Sequence, residues 1–124
     1  MFKHYQPKET NTMTFKYLKV LKRIHNLATN RGYILREVGD GEEFIYNKGQ
    51  PMTDLYDWAT QTDMGSMHYE NEQGDKMGFY LIYGNAIYET ISDGGYNTEK
   101  AEKDWDSIAD DVSSHFERLH SEYC

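Results

Sequence analysis

Met77-Gly78-Phe79-Tyr80-Leu81-Ile82-Tyr83 is the most strand-like stretch of this chain. Its aromatic and branched side chains favour a strand, and both alternating sets of positions are apolar. We therefore expect a central strand that is covered, at least partly, on both faces. Met64–Tyr69 is predicted as the strand before it, and Ile87–Ile91 as the strand after the Gly84-Asn85 turn. Residues 92–95 (Ser-Asp-Gly-Gly) are expected to end the sheet.

The N-terminal half predicts a helix, a hairpin and a second helix. Residues 14–30 carry apolar side chains three and four positions apart, and Thr12 or Thr14 can cap this helix. Arg31-Gly32 is expected to end it, because glycine enters the left-handed conformation at low cost. Two strands, 33–38 and 43–46, flank Gly39-Asp40-Gly41, which is typical of a hairpin turn. A short helix follows, for which Thr53 is the expected N-cap.

The last helix is predicted from Thr98, its expected cap, over about six turns, with Trp105 on its apolar stripe. The predicted fold is α+β: an antiparallel sheet of about five strands packed with an N-terminal helix, a short middle helix and a long C-terminal helix. We expect one domain over residues 1–124, with 1–11 as a flexible arm.

The net charge of −8 is unevenly distributed. Residues 1–36 hold eight basic residues and one acid, whereas residues 37–124 hold five basic residues and twenty acids. The basic N-terminal helix is therefore either an internal counter-charge for the acidic body or a second contact surface of opposite sign. Direct nucleic-acid binding is disfavoured, because a body of net charge −15 repels phosphates.

Several classes of protein are excluded or disfavoured by what the sequence lacks. Cys124 is the single cysteine, so an internal disulfide and a cysteine-based zinc site are ruled out. No apolar run is long enough to span a membrane, and the N-terminus has no signal-like apolar segment, so we expect a cytoplasmic protein. No cofactor motif is present.

Catalytic and metal-binding patterns are incomplete. Asp111 and His115 have the i, i+4 spacing of metal ligands, but no further ligand is visible, and we expect no metal. Gly65-Ser66 resembles the start of a nucleophile elbow without its second glycine. A small metal-dependent or histidine-dependent hydrolase or nucleotide-modifying enzyme, built around His68 or His115, remains an alternative.

The last helix carries a set of carboxylates off its apolar stripe, with tyrosines in the loop before it. Rows of carboxylates can mimic a phosphate backbone, and tyrosine is common at protein–protein contacts. The residues expected to bind a partner are Asp104, Asp106, Asp110, Asp111, Glu117, Tyr88 and Tyr96. An ordinary solvated helix face is the other explanation of this pattern.

One part of the chain resembles a known group of proteins. Phe79-Tyr80-Leu81-Ile82-Tyr83-Gly84-Asn85, followed by Tyr88–Asp93 and a helix with Trp105, is similar to small accessory proteins of bacteriophages and plasmids. Gly94-Gly95 departs from the pattern of that group, which more often has an aromatic and a hydroxyl residue there. The resemblance implies a mobile element, where small acidic proteins are often anti-CRISPR or antirestriction inhibitors, and it implies no catalytic residue.

These observations favour a small acidic, non-enzymatic binding protein. It would inhibit a host defence or nucleic-acid-handling protein by occupying that protein's basic surface, in the cytoplasm of the host cell. Besides the enzyme considered above, the alternative is a phage structural or assembly protein, a role that a stable homo-oligomer would support.

Overall fold

Five strands and three helices form an α+β fold in the computed structural model, which confirms the predicted fold class. The structure describes the backbone of residues 12–123 and the side chains of residues 16–119, so the predicted arm 1–11 lies outside the described residues. The helices are α1 (Thr12–Asn30), α2 (Met52–Ala59) and α3 (Glu99–Tyr123), and the strands are β1 (Ile34–Gly39), β2 (Phe44–Tyr46), β3 (Met64–Glu70), β4 (Lys76–Ile82) and β5 (Ile91–Tyr96).

The sheet is antiparallel throughout, with the strand order β2-β1-β3-β4-β5. Because side chains alternate along a strand, Met67 and Phe79, which are partners in register, point to the same face. All three described helices pack on that face, where Met67 and Phe79 are fully buried. The opposite face, which we call the open face, carries Ser66, His68 and Tyr80.

The predicted strand is interior to the sheet, between β3 and β5, but its two faces are not equally covered. Tyr80, near the middle of β4, is 44% exposed on the open face. The two apolar sets of positions differ in role: Met77, Phe79 and Leu81 fill the core, while Tyr80 remains on the surface.

The prediction of a strand at Ile87–Ile91 is wrong in its bounds. Residues Ile87–Glu89 form a 3-10 helix, in which the Thr90 hydroxyl and amide both donate to the Ile87 carbonyl oxygen. The strand begins only at Ile91 and continues to Tyr96, through the residues expected to form a turn.

Gly94 lies in β5 because of the ring that packs over it. A Cβ atom at Gly94 would collide with the indole of Trp105, which stacks on Phe79 with ring centroids 5.7 Å apart. The indole Nε1 also donates a hydrogen bond to the Gly78 carbonyl oxygen at 2.9 Å. Two glycines in sequence, normally a sign of a turn, therefore belong to a strand that admits a tryptophan from α3.

The helix ends match the predictions in two of three cases. Thr98 caps α3, because its Oγ1 accepts a hydrogen bond from the Ala101 amide at 3.1 Å. Gly32 follows α1 with φ of +87°, as expected for a glycine that ends a helix. Thr53 is not the cap of α2, which begins at Met52 after Pro51, whose fixed φ suits the start of a helix. The side chains of Thr12 and Thr14 lie outside the described residues.

None of the described helices is long and apolar enough to cross a membrane.

Candidate binding surfaces

The predicted carboxylates of α3 separate into an inward pair and an outward row. Asp104, in the inward pair, accepts hydrogen bonds from the Tyr33 hydroxyl at 2.7 Å and from the Lys100 ammonium at 2.6 Å. Burial raises the pKa of Asp104, but these two hydrogen bonds and the charges of Lys100 and Arg31 together outweigh it, so the pKa lies below its ordinary value. Asp111 pairs with the Arg23 guanidinium at 2.7 Å. Both inward carboxylates are therefore engaged within the fold.

Asp106, Asp110 and Glu117 form the outward row. All three are exposed, and none makes an ion pair with another described residue. At about 100° and 1.5 Å per residue, they lie on one stripe opposite the buried Ala101 and Ile108. This row presents negative charge along roughly 16 Å of the helix.

The two predicted tyrosines are placed differently. Tyr96 is 45% exposed, and a hydrogen bond to the Glu102 carboxylate raises the pKa of its hydroxyl. Its ring lies 6.2 Å from that of Trp105, so it borders α3. Tyr88 is half-buried against the core, and its carbonyl oxygen accepts a hydrogen bond from Ser113. Tyr96 is thus an accessible surface residue, whereas most of Tyr88 belongs to the packing under α3.

The basic helix α1 serves partly as counter-charge and partly as surface. Arg23 pairs with Asp111, and Arg31 lies 3.9 Å from Asp104, so two cations neutralise the inward pair. The lysines of α1 are exposed and make no ion pair within residues 16–119: Lys16, Lys19 and Lys22. Internal counter-charge and contact surface are the two roles that the sequence predicts as alternatives for this helix, and different residues of α1 fit each.

The open face of the sheet is the larger apolar surface. Five large apolar side chains on it are between 44% and 64% exposed: Ile34, Phe44, Tyr46, Met64 and Tyr80. Register relates Phe44 and Tyr80 across the sheet, because Phe44 lies opposite Gly39, which lies opposite Ser66, which lies opposite Tyr80. Tyr46 and Met64 lie two positions from Phe44 and Ser66 on the same face, whereas Ile34 lies at the other end of β1, opposite Glu70. Contiguous exposed apolar side chains of this kind mark interaction sites in soluble proteins.

A row of three rings crosses the middle of the open face. The ring of His68 meets Phe44 on one side and Tyr80 on the other, edge-on, with centroids 5.4 and 5.6 Å away. Glycine makes this possible, because a Cβ atom at Gly78 would lie 2.8 Å from Nδ1 of His68. Beside the row, a depression of about 400 Å³ opens over Gly78 and Gly95. The face therefore offers both protruding rings and a recess.

His68 sits beside a hydroxyl and near a carboxylate. Its Nε2 lies 3.0 Å from Oγ of Ser66, and Glu37 is its partner in register on β1. Burial lowers the pKa of His68, and the charge of Glu37 opposes part of that effect. The nearest atom to an added Gly78 Cβ is Nδ1, so that nitrogen faces Gly78. Ser66 itself is only 4% exposed.

Carboxylates dominate the margin of the open face. Register places Glu37 beside His68, Glu70 beside Lys76 and Asp93 beside Tyr80 on this face. Lys76 lies on the same face, and the Arg36 guanidinium lies 3.6 Å from the Glu70 carboxylate. The margin is therefore mainly negative.

No group of three or more metal-ligating side chains occurs among the described residues. Asp111, half of the spacing considered for a metal, is held by Arg23 instead. The Nδ1 atom of His115 lies 3.4 Å from the Arg118 guanidinium.

Sequence reasoning missed the open face as a surface. Two sequence features indicate this face. The polar residues Ser66 and His68 alternate with Met67 and Tyr69 along one predicted strand, and Phe44 and Tyr46 alternate with Ile45 along a short one. The sequence does not indicate which face of the sheet the helices cover, because aromatic residues occupy both faces.

Comparisons with models of known protein families, with curated proteins and with solved structures found no match.

Proposed function

We propose that this chain is a non-enzymatic binding protein that covers the surface of a partner protein with its open face. The observation that carries the proposal is the set of five exposed apolar side chains on a face that the described helices leave uncovered. Aromatic residues supply much of the binding energy at protein–protein contacts, and three of these five are Phe44, Tyr46 and Tyr80.

Charge supports a particular kind of partner. Because the margin of the open face is acidic and the whole chain carries −8, the complementary surface is an apolar patch bordered by lysine and arginine. Exposed rings on a sheet also occur in proteins that bind single-stranded nucleic acid, but those proteins surround the rings with cations. Here the acids Glu37, Glu70 and Asp93 lie on the face that carries the rings and favour a protein partner.

The outward row of α3 fits the same partner as a second, electrostatic contact. Asp106, Asp110 and Glu117 lie on the helix layer, away from the open face, and would act mainly by attracting a basic protein. With the resemblance to small phage and plasmid proteins, this makes a host defence or nucleic-acid-handling protein the first class of partner to test. Occupying a nucleic-acid-binding surface would inhibit such a protein without catalysis.

The test begins with capture of partners from host lysate and continues with the purified partner. We expect Tyr46→Ala with Met64→Ala to weaken binding at least about tenfold, because each removes exposed apolar contact area. Ser114→Ala, on the exposed side of α3, is the matched surface control and should bind like the unaltered chain. Unchanged binding by the open-face variant would overturn the proposal.

Light scattering tests whether a second copy of this chain, instead of a different protein, covers the open face. If the chain is a dimer that Tyr46→Ala with Met64→Ala converts to a monomer, then a second copy covers the open face. That result would favour the structural or assembly role instead.

An enzymatic alternative rests on the 3.0 Å contact between Ser66 Oγ and His68 Nε2, beside a recess. A histidine in this position can take the proton of a serine that attacks an acyl or phosphoryl group. Covalent labelling of Ser66 by a fluorophosphonate, lost in His68→Gln, would support a hydrolase. An unlabelled chain would leave the binding function as the better explanation, since Ser66 is nearly inaccessible beneath Phe44.

A further inference from the structure

A groove of about 490 Å³ lies between α1 and α3 on the helix layer. The two helices run antiparallel here, because Arg31 reaches Ser107 while Arg23 reaches Asp111. The groove contains apolar side chains from both helices, namely Leu27, Phe116 and Leu119. Its volume is within the range of clefts that bind ligands.

The rim of the groove is positive. Lys19, Lys22 and Arg23 line the α1 side, and no lining residue is an acid. Asp111, whose carboxylate reaches Arg23 at this rim, is neutralised by that pair. Burial lowers the pKa of His115, and the charges of Arg23 and Arg118 lower it further, against the opposing charge of Asp111. This positive rim exists in a chain whose net charge is −8.

We propose that this groove binds an acidic amphipathic helix of a partner protein. Apolar side chains of that helix would lie over Leu27 and Leu119, which are only partly buried in the chain alone. Its carboxylates would pair with Lys19 and Lys22, which make no ion pair within residues 16–119. The site differs from the open face in position, in the sign of its charge and in the form of its ligand.

A nucleic-acid strand fits the groove less well. Binding of single strands relies on exposed rings for stacking, and the phenyl ring of Phe116 that lines the groove is only 4% exposed.

The experiment uses the full chain and a probe peptide of about four helical turns, with leucine on one stripe and glutamate beside it. Binding is followed by NMR chemical-shift mapping of the isotope-labelled chain. We expect shifts at Leu27, Phe116 and Leu119, and about tenfold weaker binding when every glutamate of the probe is replaced by glutamine.

Two double variants distinguish a contact in the groove from a general effect of net charge on binding. Lys19→Glu with Lys22→Glu should weaken binding of the glutamate peptide about tenfold. Lys48→Glu with Lys103→Glu changes the net charge equally at exposed sites away from the groove and should change affinity less than about twofold. The spectra of the variants report directly whether each is folded.

Equal loss in both double variants would overturn the proposal, as would shifts confined to residues outside the groove. If an oligothymidine bound more tightly than the peptide through the same lysines, the ligand of the groove would be a nucleic-acid strand and not an acidic helix. Because the open-face variant Tyr46→Ala with Met64→Ala leaves the groove intact, it should bind the peptide normally whatever the outcome for the proposed function.

Discussion

At the residue scale, neighbouring glycines of this chain differ according to what packs over them. Gly94 and Gly95 are adjacent in β5, and both lie outside the left-handed region of backbone conformation. The space at Gly94 is filled by the Trp105 indole, whereas nothing lies within 4 Å of a Cβ atom at Gly95. Replacement by alanine, which adds one methyl group, should therefore lower stability at Gly94 and not at Gly95.

We expect Gly94→Ala to lower the free energy of unfolding by about 2 kcal/mol, because Trp105 must leave its place on Phe79. Gly95→Ala is the control and should be neutral or stabilising by up to about 0.5 kcal/mol, since it reduces the entropy of the unfolded chain. Urea unfolding followed by tryptophan fluorescence measures both. Equal stabilities would mean that the indole does not pack as described.

His68 gives the fold a dependence on pH. Burial lowers the pKa of folded His68 below the value of about 6.5 in the unfolded chain. Between these two values the unfolded chain binds a proton that the folded chain does not. Stability is therefore full above about pH 6.5 and falls as pH decreases toward the folded pKa. His25 and His115, whose pKa values are also lowered, act in the same direction.

Replacing His68 by Phe, which can pack between Phe44 and Tyr80, should reduce the loss of stability between about pH 7.5 and 5.5. Urea unfolding at the two pH values measures that loss. A titration of the His68 ring by NMR with a pKa above about 6.5 would contradict the assignment.

At the element scale, the N-terminus of α3 is tied to the β3–β4 turn. The Thr98 hydroxyl accepts from the Ala101 amide and donates to the Asp75 carboxylate at 2.6 Å. Asp75 also accepts from the Asn71 side chain at 2.8 Å, and these bonds keep the pKa of Asp75 low. One carboxylate thus joins a turn to a helix cap.

Thr98→Ala removes both bonds and should cost about 1–2 kcal/mol of stability. Thr53→Ala is the matched control, because Thr53 makes no capping bond in α2. Its effect should stay within about 0.5 kcal/mol in chemical denaturation. A comparable loss in both variants would refute the difference between the two threonines.

Removal of an inward carboxylate of α3 should lower the stability of the fold more than removal of an outward one. Asp104→Ala leaves the buried Tyr33 hydroxyl without its acceptor, and we expect a cost of about 1–3 kcal/mol. Asp110→Ala removes an exposed side chain and should be nearly neutral. Thermal unfolding of the two variants tests this ordering, and a reversed order would show that α3 is oriented differently.

At the scale of the whole molecule, charge is arranged in layers. The helix layer has the basic α1 beside the acidic α3, joined by the Arg23–Asp111 pair and by the approach of Arg31 to Asp104. The open face has an apolar middle and an acidic margin. The chain thus presents three distinct surfaces to its surroundings.

Reversal of the outward row, Asp106→Lys with Asp110→Lys and Glu117→Lys, should slow association with a basic partner about tenfold at low salt. The dissociation rate should change less, because the row lies away from the open face. Surface plasmon resonance at low salt and at about 0.5 M salt separates the two rates, and the difference should shrink as salt screens the charges. An unaltered association rate would reduce the row to an ordinary solvated helix face.

The predictable part of this fold came from local patterns. The helical periods of α1 and α3, the Thr98 cap, the Gly32 stop and the hairpin at Gly39-Asp40-Gly41 all depend on near neighbours in the chain, and all are present. The bounds of β5 depend on a distant residue, Trp105, and were predicted wrongly.

The same division holds for the surfaces. The sequence by itself determined that the chain is acidic, that its cations lie mostly near the N-terminus, and that its last helix carries a row of carboxylates off its apolar stripe. Only the tertiary structure decided which carboxylates face Arg23 and Arg31 and which face outward, and which face of the sheet the helices leave open. Composition and period are properties of the chain alone, whereas burial and pairing depend on elements that are distant in sequence and meet only when the domain folds.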